Sequence, residues 1–499
     1  MFKINTFKLN GMEAVPVTVE CEISPGIGIH LVGLADLAVK ESLLRTVTAL
    51  QSQGFHIPGK RIIINLAPAD LRKSGCGYDL PIALAILGAS GQVDLKAADE
   101  YIVAGEIGLD GSIREVPGWV QAAELAGSSS KSALLPENAA LLAADAFDGS
   151  VPIYGVKNLR EAVEILAGER PEFTAYDLGS EIYSENQGSD ESYWDAIGHL
   201  GETRALEIAA AGGHPILMVG APGREKAMLA KALTEILPPM TKEEQMEVLK
   251  VYSAAGQPQE PRKRPFREVC QAVSMTGLLG GGTGECVQPG AVSLASSGVL
   301  LFDEFLLAPK SVTSAMNFVL EDKEVDITRL KSVVKYPAKF FPVFAMQPCP
   351  CGMYGDGDRC RCSDEDRRKY LSRLPGDVYE HLTLQMWVHG ERRTAEKLGD
   401  PAEVVAERVS KACEIQMKRQ GCLNNELKSG KICDHAYLGE VAFAALNKAV
   451  RRLNLSARAY PNIIRIARTI ADLEGAEEIN SLHIYEAISF RFLDRGGLY

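Results

Sequence analysis

The chain has 499 residues, 46% hydrophobic and 24% charged, with a formal net charge of −12. That length exceeds what one hydrophobic core organises and favours roughly two to four domains of ordinary globular composition. It offers no apolar run of about eighteen residues for a membrane helix, its eleven cysteines do not suggest a disulfide scaffold, and its acidity argues against an all-over basic coat while leaving room for local basic loops.

The opening segment, MFKINTFKLNGMEAV, lacks the apolar stretch of a signal peptide, so a cytoplasmic protein without membrane contact is expected. Residues 1–168 then alternate strand and helix patterns. VPVTVECEIS and KRIIINLAP have strand character, and DLPIALAILGAS reads as a buried apolar helix. YIVAGEIGLDGSIREV reads as a hairpin turning at Asp110-Gly111. Residues 169–192 are acidic with almost no basic partners and rich in Ser and Gly, which predicts a solvated linker, with Trp194 and Ile197 marking re-entry into folded structure.

From 193 to 390 the pattern is α/β: helix TRALEIAAAG, strand PILMVG, helix EKAMLAKALTEIL, and later strands GVLLFDE and KFFPVFAMQ. From 391 to 499 it is helical, through AEVVAERVSKACEIQMKRQ, EVAFAALNKAVRRLN, PNIIRIARTIADLEG and SLHIYEAISFRFLDR.

ILMVGAPGREKAMLAKAL is a strand, a Gly-Pro turn and a helix with a lysine in its first turn. This is the setting in which G-x-x-x-x-G-K-[ST] cradles phosphate with backbone N–H groups and a helix N-terminus. Gly220, Gly223 and Lys226 fit; Glu225 stands where the second motif glycine belongs and Ala227 where the hydroxyl belongs. A side chain at 225 is expected to cost about 1–2 kcal/mol if left-handed geometry is forced, and its charge repels phosphate. Ala227 removes a Mg²⁺ ligand. The bland alternative is a strand–turn–helix that never binds phosphate. Some 80 residues on, an apolar strand ends in Asp303-Glu304, the arrangement in which one carboxylate holds Mg²⁺ and the other polarises water.

The stretches LVGLADLAVKESLLRTVTAL, INLAPADLRKSGCGYDLPIALAIL, ALEIAAAGGHPILMVGAPG, RPFR, LLGGG, SGVLLFDE, AMQPCPCG and LSARAY…ARTIADLEG run the length of the chain. On these motifs it resembles the magnesium-chelatase-like AAA+ ATPases, the group containing YifB and the competence protein ComM. The resemblance implies a multidomain α/β protein: a Lon-like N-terminal domain with α+β fold similar to ribosomal S5 domain 2, a P-loop core and a helical C-terminal lid. It also makes departures visible. Gln347 replaces the sensor asparagine, and Glu380-His381 replaces an Asp-Arg pair whose arginine would reach a neighbouring subunit's nucleotide, while Arg458 retains the sensor arginine of the lid. Family members look like hexameric motors on DNA, so the expectation is a homo-hexamer or co-assembly with an active paralogue, with ATP and Mg²⁺ weakly held or absent. The function expected is a pseudo-ATPase scaffold or regulatory subunit. The alternatives are an active DNA translocase of the branch-migrating type, with Glu304 polarising water, or a nucleic-acid-binding ring that needs no turnover.

Three other features bear on chemistry. Cys349, Cys351, Cys360 and Cys362 form C-x-C-x₈-C-x-C, four soft ligands for structural Zn²⁺, against the plainer reading of free thiols. Arg262, Lys263, Arg264 and Arg267 form a basic stretch suited to a phosphate backbone, against plain surface solvation. In the Lon-like domain the catalytic lysine and serine positions fall on Val120 and Gly77, with Lys73 and Ser74 out of place, so no protease activity is expected.

Overall fold

The computed structural model describes residues 1–75, 77–169, 174–175, 192–223, 225–257, 262–282, 287–328, 333–355, 359–389, 399–453, 455 and 459–495. The expected linker, residues 169–192, lies outside them apart from its ends and residues 174–175. Trp194 and Ile197 are both buried.

The N-terminal part is built on a seven-stranded sheet. Its strands are β1 (Phe2–Asn10), β2 (Glu13–Ser24), β3 (Gly28–Val32), β4 (Arg61–Ala67), β5 (Tyr101–Val103), β6 (Ser132–Pro136) and β7 (Ile153–Val156), in the order β3-β4-β2-β1-β5-β6-β7. β1 and β2 pair antiparallel down to Asn10↔Glu13, a register set by the tight turn in which Gly11 has φ 62°. In β2, Val17, Val19 and Cys21 alternate inward, the period of a half-buried strand. Helix α1 (Leu37–Ser52) packs beside α2 (Asp79–Ser90), whose residues 79–87 are all buried. Helices α3 (Trp119–Ser128) and α4 (Glu137–Ala146) belong to a second apolar cluster, and α5 (Leu159–Ala167) closes the first. The expected 101–116 hairpin is shorter than its sequence suggests. Only Glu106–Ile107 and Ile113–Arg114 pair, because Tyr101–Val103 is taken into the main sheet between β1 and β6.

The second sheet has five strands: β8 (Ile216–Gly220), β9 (Phe266–Val269), β10 (Val299–Phe302), β11 (Phe341–Met346) and β12 (Leu384–Val388). Their order is β9-β10-β11-β8-β12, and all pairs are parallel. β8 is buried at every position, as a strand covered on both faces should be. Helices α6 (Leu200–Gly212) and α7 (Glu225–Ile236) pack on this sheet, and α8 (Lys242–Ala255) runs from it toward α3 and α4. The C-terminal region is helical: Ala402–Gln420, Glu440–Leu453, Ala459–Leu473 and Ser481–Ser489, sharing one apolar cluster with α6 and α7. The architecture is a mixed α/β one with a parallel-sheet core and a helical C-terminal region, consistent with an AAA+ fold. The last helix stops at Ser489 rather than continuing to Arg495. Arg491 instead turns inward to donate to the Leu382 and Thr383 carbonyls.

The two sheets meet through α3 and α8. Val120 N–H donates to Ser253 Oγ at 3.1 Å, and Gln121 Nε2 donates to the Lys250 carbonyl at 2.9 Å. Among the described residues no helix is long and apolar enough to cross a membrane.

Candidate nucleotide site

All five strands of the core point the same way, so their carboxyl ends gather Gly220, Asp303, Gln347 and the residues after Val388 along one edge. β8 ends at Gly220 and α7 begins at Glu225, placing Lys226 in the first helical turn. Gly220 is required by packing: a Cβ there would lie 2.7 Å from the Val388 carbonyl oxygen on β12. Gly223 meets nothing, leaving the loop's outer side open.

Glu225 is the first residue of α7, an ordinary helical position. The left-handed backbone cost expected for a side chain there therefore does not arise. What remains is electrostatic, since a carboxylate at a helix N-terminus takes up the favourable field that phosphate would use. Lys226 is buried and its Nζ donates to the Ala221 and Gly220 carbonyls at 2.7 and 3.3 Å. The lysine is thus folded back onto its own loop. Burial lowers its pKa, opposed by the charges of Glu304, Asp303 and Glu225. Ala227 contributes only apolar packing to the core beneath.

Across the edge, Glu304 adopts φ 50°, ψ 43°, a left-handed conformation unusual for glutamate, and its Oε1 accepts from Gln347 Nε2 at 3.0 Å. Asp303 Oδ1 and Glu304 Oε2 are buried and without hydrogen-bond partners among the described residues. Buried lone pairs of this kind suit a hard cation such as Mg²⁺. The donor set therefore fits in part: the carboxylates are present and the hydroxyl at 227 is not.

The cysteine loop sits on the same edge. Its four Sγ atoms lie within 4.8 Å of one another, with Cys349–Cys351 at 3.4 Å and Cys360 at 3.7 Å from each of them. Tetrahedral zinc with bonds of about 2.3 Å has sulfur–sulfur edges of about 3.8 Å. The cluster can hold a metal ion. Cys349 is buried and Cys351 exposed, with the latter's pKa pushed down to about 6, chiefly by the backbone N–H of Met353.

Other predicted residues lie elsewhere. His381, 3.9 Å from Glu321, and Arg264 line a cavity of about 700 Å³. That cavity opens at the amino ends of the strands, beside Pro215, Gly298, Phe341 and Thr383, away from the phosphate loop. Arg264 donates to the Pro238 carbonyl at 2.7 Å, to the Ser297 carbonyl, and to Glu244 at 3.3 Å. These are internal fastenings. Arg267 lies over the Tyr252 ring and donates to Gln257, whereas Arg262 is 74% exposed beside Asp145. Arg458 lies outside the described residues. In the N-terminal part, Val120 is fully buried, Gly77 faces Val116, and buried Lys73 donates to the Pro68 carbonyl.

Sequence reasoning missed two groups. Gly352 presses against both Gln347 and Pro222, a contact with no spacing signature. Beyond β12, His389 N–H donates to buried Glu202 at 3.0 Å, and the His389 ring lies 5.5 Å from that of His199.

Residues 193–396 match the family described as magnesium chelatase, subunit ChlI; 19–139 match subunit ChlI of Mg-chelatase, and 399–491 the ChlI C-terminal family. YifB of Salmonella typhimurium is 35% identical over 505 residues, covering 99% of this chain and 97% of its own length. Competence protein ComM of Haemophilus influenzae is 37% identical over 494 residues, covering 97% and 96%. An uncharacterized protein of Mycobacterium tuberculosis is 32% identical over 497 residues, covering 97% of each.

Proposed function

We propose, for a chain that belongs to the magnesium-chelatase ChlI family alongside YifB and ComM, that it is a pseudo-ATPase: a scaffold or regulatory subunit in DNA-related processes. It assembles as a homo-hexamer or with an active paralogue. The observation that carries this reading is the engagement of Glu304 by Gln347 at 3.0 Å. One oxygen of the carboxylate that would orient water is already taken by a side-chain amide, at a position where the resemblance calls for asparagine. Lys226 bonded to its own loop, Glu225 at the helix start and Ala227 without a hydroxyl support the same conclusion. The division into 1–168, 193–390 and 391–499 belongs to this reading, as does a structural zinc at Cys349, Cys351, Cys360 and Cys362.

The second reading is an active DNA translocase of the ComM type. It is favoured by the unpartnered oxygens of Asp303 and Glu304, which keep cation-binding capacity at the edge. Phosphate release by the purified chain with Mg²⁺ and ATP, with and without branched or single-stranded DNA, separates the two. Background rates support the pseudo-ATPase. DNA-stimulated turnover at about 0.1–10 s⁻¹, within the ordinary enzyme range, gives the translocase reading precedence.

A further inference from the structure

The cysteine loop is joined to the nucleotide edge by packing as well as by sequence. Gln347 precedes Cys349 by a single proline. Gly352, at φ +79°, has no room for a side chain: a Cβ there would lie 2.8 Å from Gln347 Oε1 and 2.8 Å from Pro222 Cδ. One glycine therefore abuts both the phosphate loop and the amide that holds Glu304. The two ends of the Gln347 amide divide their roles, Nε2 to Glu304 and Oε1 against Gly352. Three residues on, Gly355 (φ +88°) rests on Trp387 of β12, where a Cβ would lie 2.6 Å from Cζ2. The loop thus spans the carboxyl ends of β8, β11 and β12.

Resting on the zinc reading above, we propose that the metal-bound cysteine loop is a brace for the nucleotide site, so that metal occupancy fixes the phosphate loop and the Gln347–Glu304 pair. Four thiolates hold a loop rigid only while a cation neutralises and coordinates them, and in small metal sites the binding energy is folding energy. Among the described residues the loop is also fastened by the burial of Cys349, the turn from Gly352 N–H to the Cys349 carbonyl at 2.9 Å, the backbone N–H of Met353 at Cys351, and the Arg367 guanidinium 4.4 Å from the Tyr354 ring centre. Without the metal, Gly352 is free to leave Gln347 and Pro222. The amide then loses the wall that orients it, and Pro222 of the phosphate loop loses its neighbour.

The test measures zinc content and amide hydrogen exchange of the full chain, native and in two variants. Cys351→Ser/Cys360→Ser removes the metal. Gly352→Ala keeps all four thiols and places a Cβ against Gln347 and Pro222. The native chain is expected to carry about one zinc. Exchange at residues 217–223 and 344–347 is expected to rise about tenfold in both variants, with zinc retained in Gly352→Ala. Zinc loss with faster exchange confined to 349–362, or Gly352→Ala with unchanged exchange at 217–223, overturns the brace while leaving the zinc reading standing. A native chain that holds no zinc and takes up none overturns the zinc reading and the brace with it. If the double variant fails to fold, stripping zinc from the native chain with a chelator takes its place, with the same exchange expected at 217–223 and 344–347.

Discussion

Gln347 Nε2 donates to Glu304 Oε1 at 3.0 Å, while Glu304 Oε2 lies buried without a partner among the described residues. The carboxylate is half satisfied, on a backbone held at φ 50°. A left-handed glutamate costs about 1–2 kcal/mol, which the surrounding packing must offset.

Gln347→Leu should therefore lower stability by about 1–3 kcal/mol, because it leaves both oxygens of a partly buried carboxylate unpaired. Denaturant unfolding of the two proteins checks this. An unchanged midpoint would mean that the hydrogen bond does not persist in solution.

Glu225 and Ala227 make separable predictions. Glu225→Gly removes a negative charge from the helix start and should tighten binding of a fluorescent ATP analogue about tenfold, whether or not Mg²⁺ is present. Ala227→Thr restores a metal ligand, so its gain should appear with Mg²⁺ and vanish in EDTA. If the double variant binds no better than the native chain, the defect lies outside the phosphate loop.

The basic stretch should divide by function. Arg264 is tied to two carbonyls and Glu244, so Arg264→Ala is expected to cost about 1–3 kcal/mol through the loss of these partly buried hydrogen bonds, with little change in DNA affinity. Arg262, exposed beside Asp145, is better placed to meet a phosphate. Arg262→Ala/Lys263→Ala should weaken DNA binding and reduce its logarithmic salt dependence by about one for each phosphate no longer neutralised. Binding measured between low and moderate salt distinguishes them, and an equal weakening by Arg264→Ala would reverse the assignment.

What could be read from the sequence follows its range of order. The phosphate loop, the Asp303-Glu304 strand end and the four cysteines are local patterns: Lys226 lies in the first turn of α7, β10 ends at Phe302 just before Asp303, and the four Sγ atoms lie together. Three features depend on distant packing and leave no such trace. Tyr101–Val103 joins the main sheet because β1 and β6 offer unpaired edges on either side. Arg264 reads as a surface cation, yet Pro238 and Ser297 are brought to it by the fold. Gly352 reads as loop filler until Gln347 and Pro222 close on it. The charge of a residue is legible in sequence; its partner is not.

His214, from the AAGGH stretch, gives a prediction in pH. Its ring is fully buried, with Nε2 2.8 Å from Thr469 Oγ1, and burial followed by the nearby Arg465 charge pushes its pKa down to about 3. An unfolded histidine titrates near about 6.5. As pH falls below about 6.5 the unfolded chain binds a proton that the folded chain refuses, so this residue erodes stability progressively, and the erosion ends only near pH 3. Through the middle of that window the slope is about 1.4 kcal/mol per pH unit. His214→Gln removes the titrating group. Whatever its effect on stability near neutral pH, the variant should lose stability less steeply between about pH 6 and 4.5, by about one proton's worth. Denaturant unfolding across that range checks the slope rather than the level, and parallel slopes for the two proteins would mean that the ring becomes protonated within the fold.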